Sequence, residues 1–241
     1  MNQMKKNFVF ISDTHCQHKM LEELPKGDVI IHCGDISSRG SEAEIKAFLN
    51  WFSLLPFEYK IFIPGNHDFY FERASKFIID ALMSEYPEVT LLNDSSTNVY
   101  GIKIWGSPIT PYFHNWAFNR FRGSDIERYW DLIDEDTDIL VTHGPPAYLE
   151  NKLSTVVEGE DVGCEDLYNT IMKRVNPKIN AFGHIHEGYG TCEDNGTIFI
   201  NCSVLNRRYE LVNEPIKVQY DGEKFILVER FESEEDQFGE I

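Results

Sequence analysis

The chain has no apolar run of about 18 residues anywhere in its sequence, which excludes a membrane-spanning helix. It has no Cys-x-x-Cys pair, and its five cysteines are an odd number. That argues against a disulfide framework and for a reducing, cytoplasmic setting. Positive charge is scarce: 22 Lys and Arg stand against 40 Asp and Glu, a formal net charge of -18. Non-specific nucleic-acid binding rests on Lys and Arg at phosphates, so extended nucleic acid is not an expected partner, and no basic track favours a nuclease. A small anionic substrate held by metal remains compatible with this charge. Internal repeats, low-complexity linkers and firm domain boundaries are also missing. The expectation is one domain over residues 1–231 followed by an acidic tail over 232–241. The first residues carry two lysines and a short apolar stretch that Asp13 interrupts, with no small-residue cleavage site. They read as a first strand rather than a signal peptide.

What is present is globular: 42% of the residues are hydrophobic and 13% aromatic, enough for one large core. Short continuous apolar runs recur, as expected of strands buried on both faces. Between them lie helical patterns. Ser41 with Glu44 forms a capping-box pattern, and Ile45, Phe48, Leu49, Phe52 and Leu55 then share one face. Ser124 with Glu127 repeats the pattern, and a third helix over GCEDLYNTIMKRV should stop before Pro177. Strands alternating with helices predict right-handed βαβ units. Later runs joined by turns (VTLLN, TNVYGIKIWGSP, TIFINCSV, PIKVQYD, KFILVER) suggest a second, more antiparallel sheet packed on the first.

Five of the apolar runs end in polar, titratable residues: Asp13 and His15; Asp35 after Gly34; Asn66, His67 and Asp68 after Gly65; His143 after Thr142; His184 and His186 after Gly183. A lone Asp at a strand end is ordinarily a turn or cap residue, and Asn66 suits a left-handed turn. Five clusters at one topological position point elsewhere, because loops at the carboxyl ends of parallel strands converge on one crevice. Five of the eight histidines fall in these clusters; His18, His32 and His114 do not. Carboxylate, carboxamide and imidazole without thiolate suit Mn, Fe or Zn rather than a structural Cys-rich zinc site. In Asp13-Thr14-His15 and His184-Ile185-His186 the outer residues point to the same side of an extended segment. Two ions roughly 3.5–4 Å apart can share one carboxylate, and Asp35 is the candidate bridge. Cys16 and Cys33, beside these residues, read as small buried hydrophobes.

The ordered set DTH (13–15), GD (34–35), GNHD (65–68), THGPP (142–146) and GHIHEGYG (183–190) resembles the calcineurin-like metallophosphoesterase superfamily. The segments GIKIWGSPITPYF, NWAFNRFRG, DILVTHGPP and VGCEDL are similar to its MPPED-type (brain-protein-like) phosphodiesterase branch. The resemblance implies an α/β four-layer α/β/β/α sandwich of two mixed sheets. It implies two metal ions, one on Asp13, His15, Asp35 and His186, the other on Asp35, Asn66, His143 and His184. His67 would bind no metal and would face the substrate phosphate, with Asp68 or the backbone as its partner. Some members of that branch lack the first histidine of the last motif, whereas His184 is present here.

The chemistry expected from such a site is phosphodiester hydrolysis, with a cyclic nucleotide as one candidate substrate. Two cations lower the pKa of a bridging water, whose hydroxide attacks phosphorus in line. Asn66 adds a neutral ligand that also meets the phosphate, and His67 protonates the departing alkoxide. In TPYFHNWAFNRFRG, Trp116 or Phe118 is a candidate to stack on a base and Arg120 or Arg122 to meet phosphate; His114 is a weaker candidate for the same pocket. The alternatives are a phosphomonoesterase or Ser/Thr protein phosphatase on the same metals, or a catalytically silent metal-binding scaffold.

Overall fold

The computed structural model describes residues 5–21, 23–149 and 153–228; the tail expected over 232–241 lies outside the described residues. Along the chain the strands are β1 (Lys6–Ile11), β2 (Val29–His32), β3 (Tyr59–Phe62), β4 (Val89–Leu91), β5 (Ser95–Val99), β6 (Ile102–Ser107), β7 (Thr110–Pro111), β8 (Asn119–Arg120), β9 (Ile139–Thr142), β10 (Val156–Val157), β11 (Glu160–Asp161), β12 (Ile179–Phe182), β13 (Gly190–Asp194), β14 (Thr197–Asn201), β15 (Ile216–Tyr220) and β16 (Phe225–Leu227). The α-helices are α1 (Glu42–Ser53), α2 (Phe69–Arg73), α3 (Lys76–Met83), α4 (Ser124–Trp130) and α5 (Glu165–Thr170), the last running into a π-helical turn over Ile171–Val175.

Two mixed six-stranded sheets carry the fold, in the orders β16-β15-β1-β2-β3-β4 and β13-β14-β12-β9-β6-β5. Strands β1 to β4 run parallel, as do β6, β9, β12 and β14. Antiparallel strands lie at the margins: β15 and β16 in the first sheet, β5 and β13 in the second. The late strands therefore do not form one antiparallel sheet as expected. β14 pairs in parallel with β12, while β15 and β16 return to the first sheet.

The two-residue period of the strands divides the core. Phe8, Phe10, Val29, Ile31, Ile139, Val141, Ile179 and Ala181 lie in a cluster shared by both sheets. The alternate residues Val9, Ile11, Ile30, Leu140 and Phe182 belong to the outer cluster, together with Ile45, Phe48, Leu49 and Phe52 of α1 and Ile126 and Trp130 of α4. Both faces of the central strands are thus buried, which is why those strands read as unbroken apolar runs. Each such Ile or Phe contributes about 1.5–3 kcal/mol through burial.

The caps explain the helix starts. The Ser41 hydroxyl accepts from Glu44 N at 3.3 Å, and the Glu44 carboxylate accepts from Ser41 N at 2.9 Å, completing the capping box. The second expected box does not form. Gly123, at φ 79°, takes the cap position, and Ser124 becomes the first helical residue. The third helix ends at Asn176, in the left-handed conformation just before Pro177, as its sequence predicts.

Candidate metal centre

The loops leaving β1, β2, β3, β9 and β12 meet at one edge, where Ser12 pairs with Ser203 and joins the two sheets. The chain turns sharply there. Asp13 (φ 55°), His15 (38°), Asp35 (56°) and His184 (66°) all adopt the left-handed conformation, which costs about 1–3 kcal/mol for each non-glycine residue. Asn66, expected to suit that conformation, is not among them. Backbone hydrogen bonds hold the turns in place: Asp13 N to Gly34 O at 2.9 Å and His15 N to Asp35 O at 3.0 Å. Gly183 has no room for a side chain, since a Cβ there would sit 2.1 Å from Asp13 Oδ2.

Three groups of side chains place one donor atom each within 4.8 Å of one another: Asp13, His15 and His186; His15, Asp35 and His67; Asp35, His143 and His184. Asp35 Oδ2 lies 3.5 Å from His15 Nε2, 3.4 Å from His143 Nε2 and 4.0 Å from His67 Nε2. Asp13 Oδ1 is 3.6 Å from His186 Nε2. Asn66 Oδ1 sits 2.8 Å from His143 Nε2, so all seven expected ligands converge.

The second ring nitrogens show how the histidines are aimed. His143 Nδ1 lies 3.0 Å from Cys33 O, His186 Nδ1 3.1 Å from Asn206 O and His67 Nδ1 2.8 Å from Ser38 O. A carbonyl only accepts, so each Nδ1 carries a proton and each ring is held with Nε2 turned into the cluster. His15 is 5% exposed, yet neither ring nitrogen has a hydrogen-bond partner among the described residues. Buried polar atoms are normally partnered. An unpaired imidazole between two carboxylates, with no thiolate nearby, fits a bound divalent cation.

The electrostatics agree. Burial works to raise the Asp35 carboxyl, but the His143 and His15 rings outweigh it and hold it well below the usual range. Asp13 is likewise lowered against burial by His186 and His143. Burial depresses His184 to about 4, helped by the neighbouring His143. Burial also opposes protonation of His143, but Asp35 and Asp13 bring it up to about 9. Two buried carboxylates, held ionised by the imidazoles around them, form a site whose charge a bound cation would compensate.

Not every expected residue reaches this centre. The Asp68 carboxylate accepts from Gly65 N (2.7 Å), Ser37 N (2.9 Å) and Ile36 N (3.2 Å), clamping the β2 and β3 loops together. Burial and the Asp35 charge push its carboxyl up to about 6. The His67 ring has the Ser38 carbonyl as its hydrogen-bond partner, the second of the two expected arrangements. Trp116 stacks on His67, centroids 4.1 Å apart and planes at 24°. Phe118 is buried in the core. Arg120 turns away: Nε donates to the Tyr129 hydroxyl and Nη1 to Asn119 O, each at 2.7 Å. Arg122 donates to Gly163 O, and His114 is exposed beside Phe113. Cys33 is buried as expected, whereas Cys16 is exposed because the tight turn after His15 points it outward.

A cleft of about 550 Å³ opens over the centre, lined by His15, His67 and Trp116 and by five residues the sequence reading missed: Ser38, Arg39, Phe69, Arg73 and Tyr209. Tyr209 packs edge-on against His15 (5.0 Å) and His186 (5.1 Å). Arg39 follows Asp35 in the same loop, which was its only signal in the sequence.

With the geometry in place, comparison with known proteins assigns the family. The calcineurin-like phosphoesterase family model matches residues 6–188. The chain belongs to the calcineurin-like phosphoesterases. Among members of that family it is 39% identical over 232 residues to Metallophosphoesterase domain-containing protein 1 of Homo sapiens, covering 88% of this chain and 70% of that protein. The Mus musculus protein of the same name matches to the same extent. Both agree with the branch resemblance carried by its motifs. The crystal structure of Phosphopantetheinyl Hydrolase (PptH) from Mycobacterium tuberculosis superposes with a TM-score of 0.60 at 17% identity, covering 84% of this chain and 90% of that one. This second likeness shows the shared fold. As a calcineurin-like phosphoesterase the protein is a metal-dependent phosphoester hydrolase, and members of this family typically bind two metal ions. No helix among the described residues is long and apolar enough to cross a membrane.

Proposed function

We propose that the protein hydrolyses a phosphodiester, with a cyclic nucleotide as one candidate, on a binuclear centre. The observation that carries this reading is the position of Asp35 Oδ2, 3.5 Å from His15 Nε2 and 3.4 Å from His143 Nε2. One carboxylate oxygen thus belongs to two ligand groups. Asp13, His15, Asp35 and His186 would hold one ion; Asp35, Asn66, His143 and His184 would hold the other. The thiolate-free mix of carboxylate, carboxamide and imidazole donors suits Mn²⁺, with Fe or Zn as alternatives. When bound, two such ions supply Lewis acidity to the phosphoryl oxygens and an acidified water as nucleophile.

The remaining steps fall to the chain itself. The Asn66 carboxamide offers its oxygen inward and its N–H₂ to a phosphoryl oxygen. His67 fixes one proton at Nδ1 on Ser38 O, so Nε2 is the atom that donates to the leaving oxygen. Arg39 supplies positive charge where the phosphoester enters. Trp116 holds the His67 ring from one face, and its indole supports stacking by a nucleobase. Five free cysteines support a cytoplasmic setting.

The test is hydrolysis of bis-p-nitrophenyl phosphate and of p-nitrophenyl phosphate, with and without Mn²⁺. The proposal expects metal-dependent turnover that is faster on the diester. Faster turnover of the monoester reassigns the enzyme as a phosphomonoesterase, and no metal-dependent turnover on either leaves a scaffold.

A further inference from the structure

The cleft extends beyond the metal centre along a row of flat groups. His67 stacks on Trp116 at 4.1 Å, Trp116 lies 5.9 Å from Phe69, and the Arg73 guanidinium carbon sits 4.2 Å above the Phe69 ring. Phe69 and Arg73 are one turn apart on α2, which fixes this pairing. Arg73 therefore closes the end of the row away from Asp35, and it lines the same cleft.

Among the described residues no carboxylate or carbonyl oxygen partners the Arg73 guanidinium, in a chain with 40 acidic and 22 basic residues. The adjacent Glu72 makes no ion pair with it and turns its carboxylate to Phe118 N, from which it accepts at 2.7 Å. Arg120, Arg122, Arg128, Arg174 and Arg207 all have oxygen partners; of the arginines without one among the described residues, Arg39 and Arg73 line the cleft. A guanidinium laid on an aromatic face loses little freedom when it meets an anion, and its fork suits phosphate or carboxylate.

We infer that Arg73 is a specificity-determining residue that reads a second anionic group of the substrate, remote from the scissile phosphoester. The inference rests on the phosphodiesterase reading and narrows it: the substrate class is a nucleotide-sized diester carrying an additional phosphate or carboxylate. Arg39, in the Asp35 loop, serves the scissile group instead. The two arginines are then separable, because loss of Arg39 penalises all substrates while loss of Arg73 penalises only those with the second anion.

Two probes with the same scissile bond and leaving group make the test: thymidine 5'-(p-nitrophenyl phosphate) and its 3'-phosphate derivative. The Mn²⁺-loaded wild type should favour the 3'-phosphorylated probe in kcat/KM by about tenfold, the effect of about 1.4 kcal/mol. Arg73→Gln should bring that ratio close to one. Arg39→Gln should lower both probes together and keep the ratio. A wild-type ratio near one, or an unchanged ratio in Arg73→Gln, overturns the inference. If neither probe turns over, the diesterase reading fails, and titration calorimetry with thymidine 3',5'-bisphosphate and thymidine 5'-monophosphate decides the role of Arg73. Tighter binding of the bisphosphate in the wild type, lost in Arg73→Gln, sustains it; equal binding of the two ligands overturns it.

Discussion

The His67 ring nitrogen Nδ1 lies 2.8 Å from the Ser38 carbonyl oxygen, so the ring is oriented by the loop that also carries Asp35. The proton on Nδ1 is committed to that carbonyl, and only Nε2 is left for substrate. His67→Ala should reduce kcat by roughly 10²–10⁴-fold on a diester with an alkoxide leaving group. On p-nitrophenyl esters, whose leaving group needs little protonation, the loss should be much smaller. Steady-state rates on the two substrate types check this, and equal losses on both would exclude the acid role.

Asp35 should be the residue on which metal content depends most. Asp35→Asn keeps the shape but removes the charge that two ligand groups share. Bound metal should fall from about two ions per chain to about one or fewer, measured by elemental analysis after gel filtration in Mn²⁺. Turnover should drop by more than the roughly 10–100-fold that loss of an outer ligand partner costs. Retention of both ions would remove Asp35 from the bridging position.

Two proposed roles of Trp116 are separable by experiment, because one face of its indole is taken by His67. As a base platform, it should matter more for nucleotides than for small aryl phosphates. As a prop for His67, it should matter equally for both. Trp116→Ala is expected to raise KM for a nucleotide diester several-fold more than for bis-p-nitrophenyl phosphate, with base stacking worth about 1–3 kcal/mol. Equal loss in kcat on both substrates would assign it to positioning His67 alone.

The candidate metal ligands were legible in the sequence because each follows a central parallel strand whose two buried faces make an unbroken apolar run. The cleft walls were not, since they come from loops and one short helix with no periodicity to announce them. Arg73 and Tyr209 reach the site only through the fold. In the aromatic segment 110–123, Trp116 reaches the cleft, while Phe118 and Arg120 do not, for a physical reason. Phe118 buries itself in the core at 4% exposure, and β8 then pairs with β7, so Arg120 packs on Tyr129 instead of facing the cleft. The Ser124 capping box failed in a similar way, because the glycine before it adopts the conformation that starts the helix.

A final prediction concerns stability rather than catalysis. His18 is 2% exposed and packs against Phe48 (5.6 Å) and Trp51 (5.1 Å). Burial, and then the Lys19 charge, depress it to about 4 from the ordinary imidazole value of 6.5. The unfolded chain therefore takes up a proton first as pH falls. The stability tied to neutral His18 is complete above pH 6.5 and is lost progressively toward pH 4, by about 3 kcal/mol at most. His18→Leu keeps an apolar side chain among the same rings and cannot bind a proton. Between pH 7 and 4.5 its Tm should therefore fall less steeply than that of the wild type, so that the two melting curves diverge on acidification. Parallel Tm profiles, measured by circular dichroism at matched ionic strength, would show that the His18 ring is already protonated, or is accessible to protons, in the folded state.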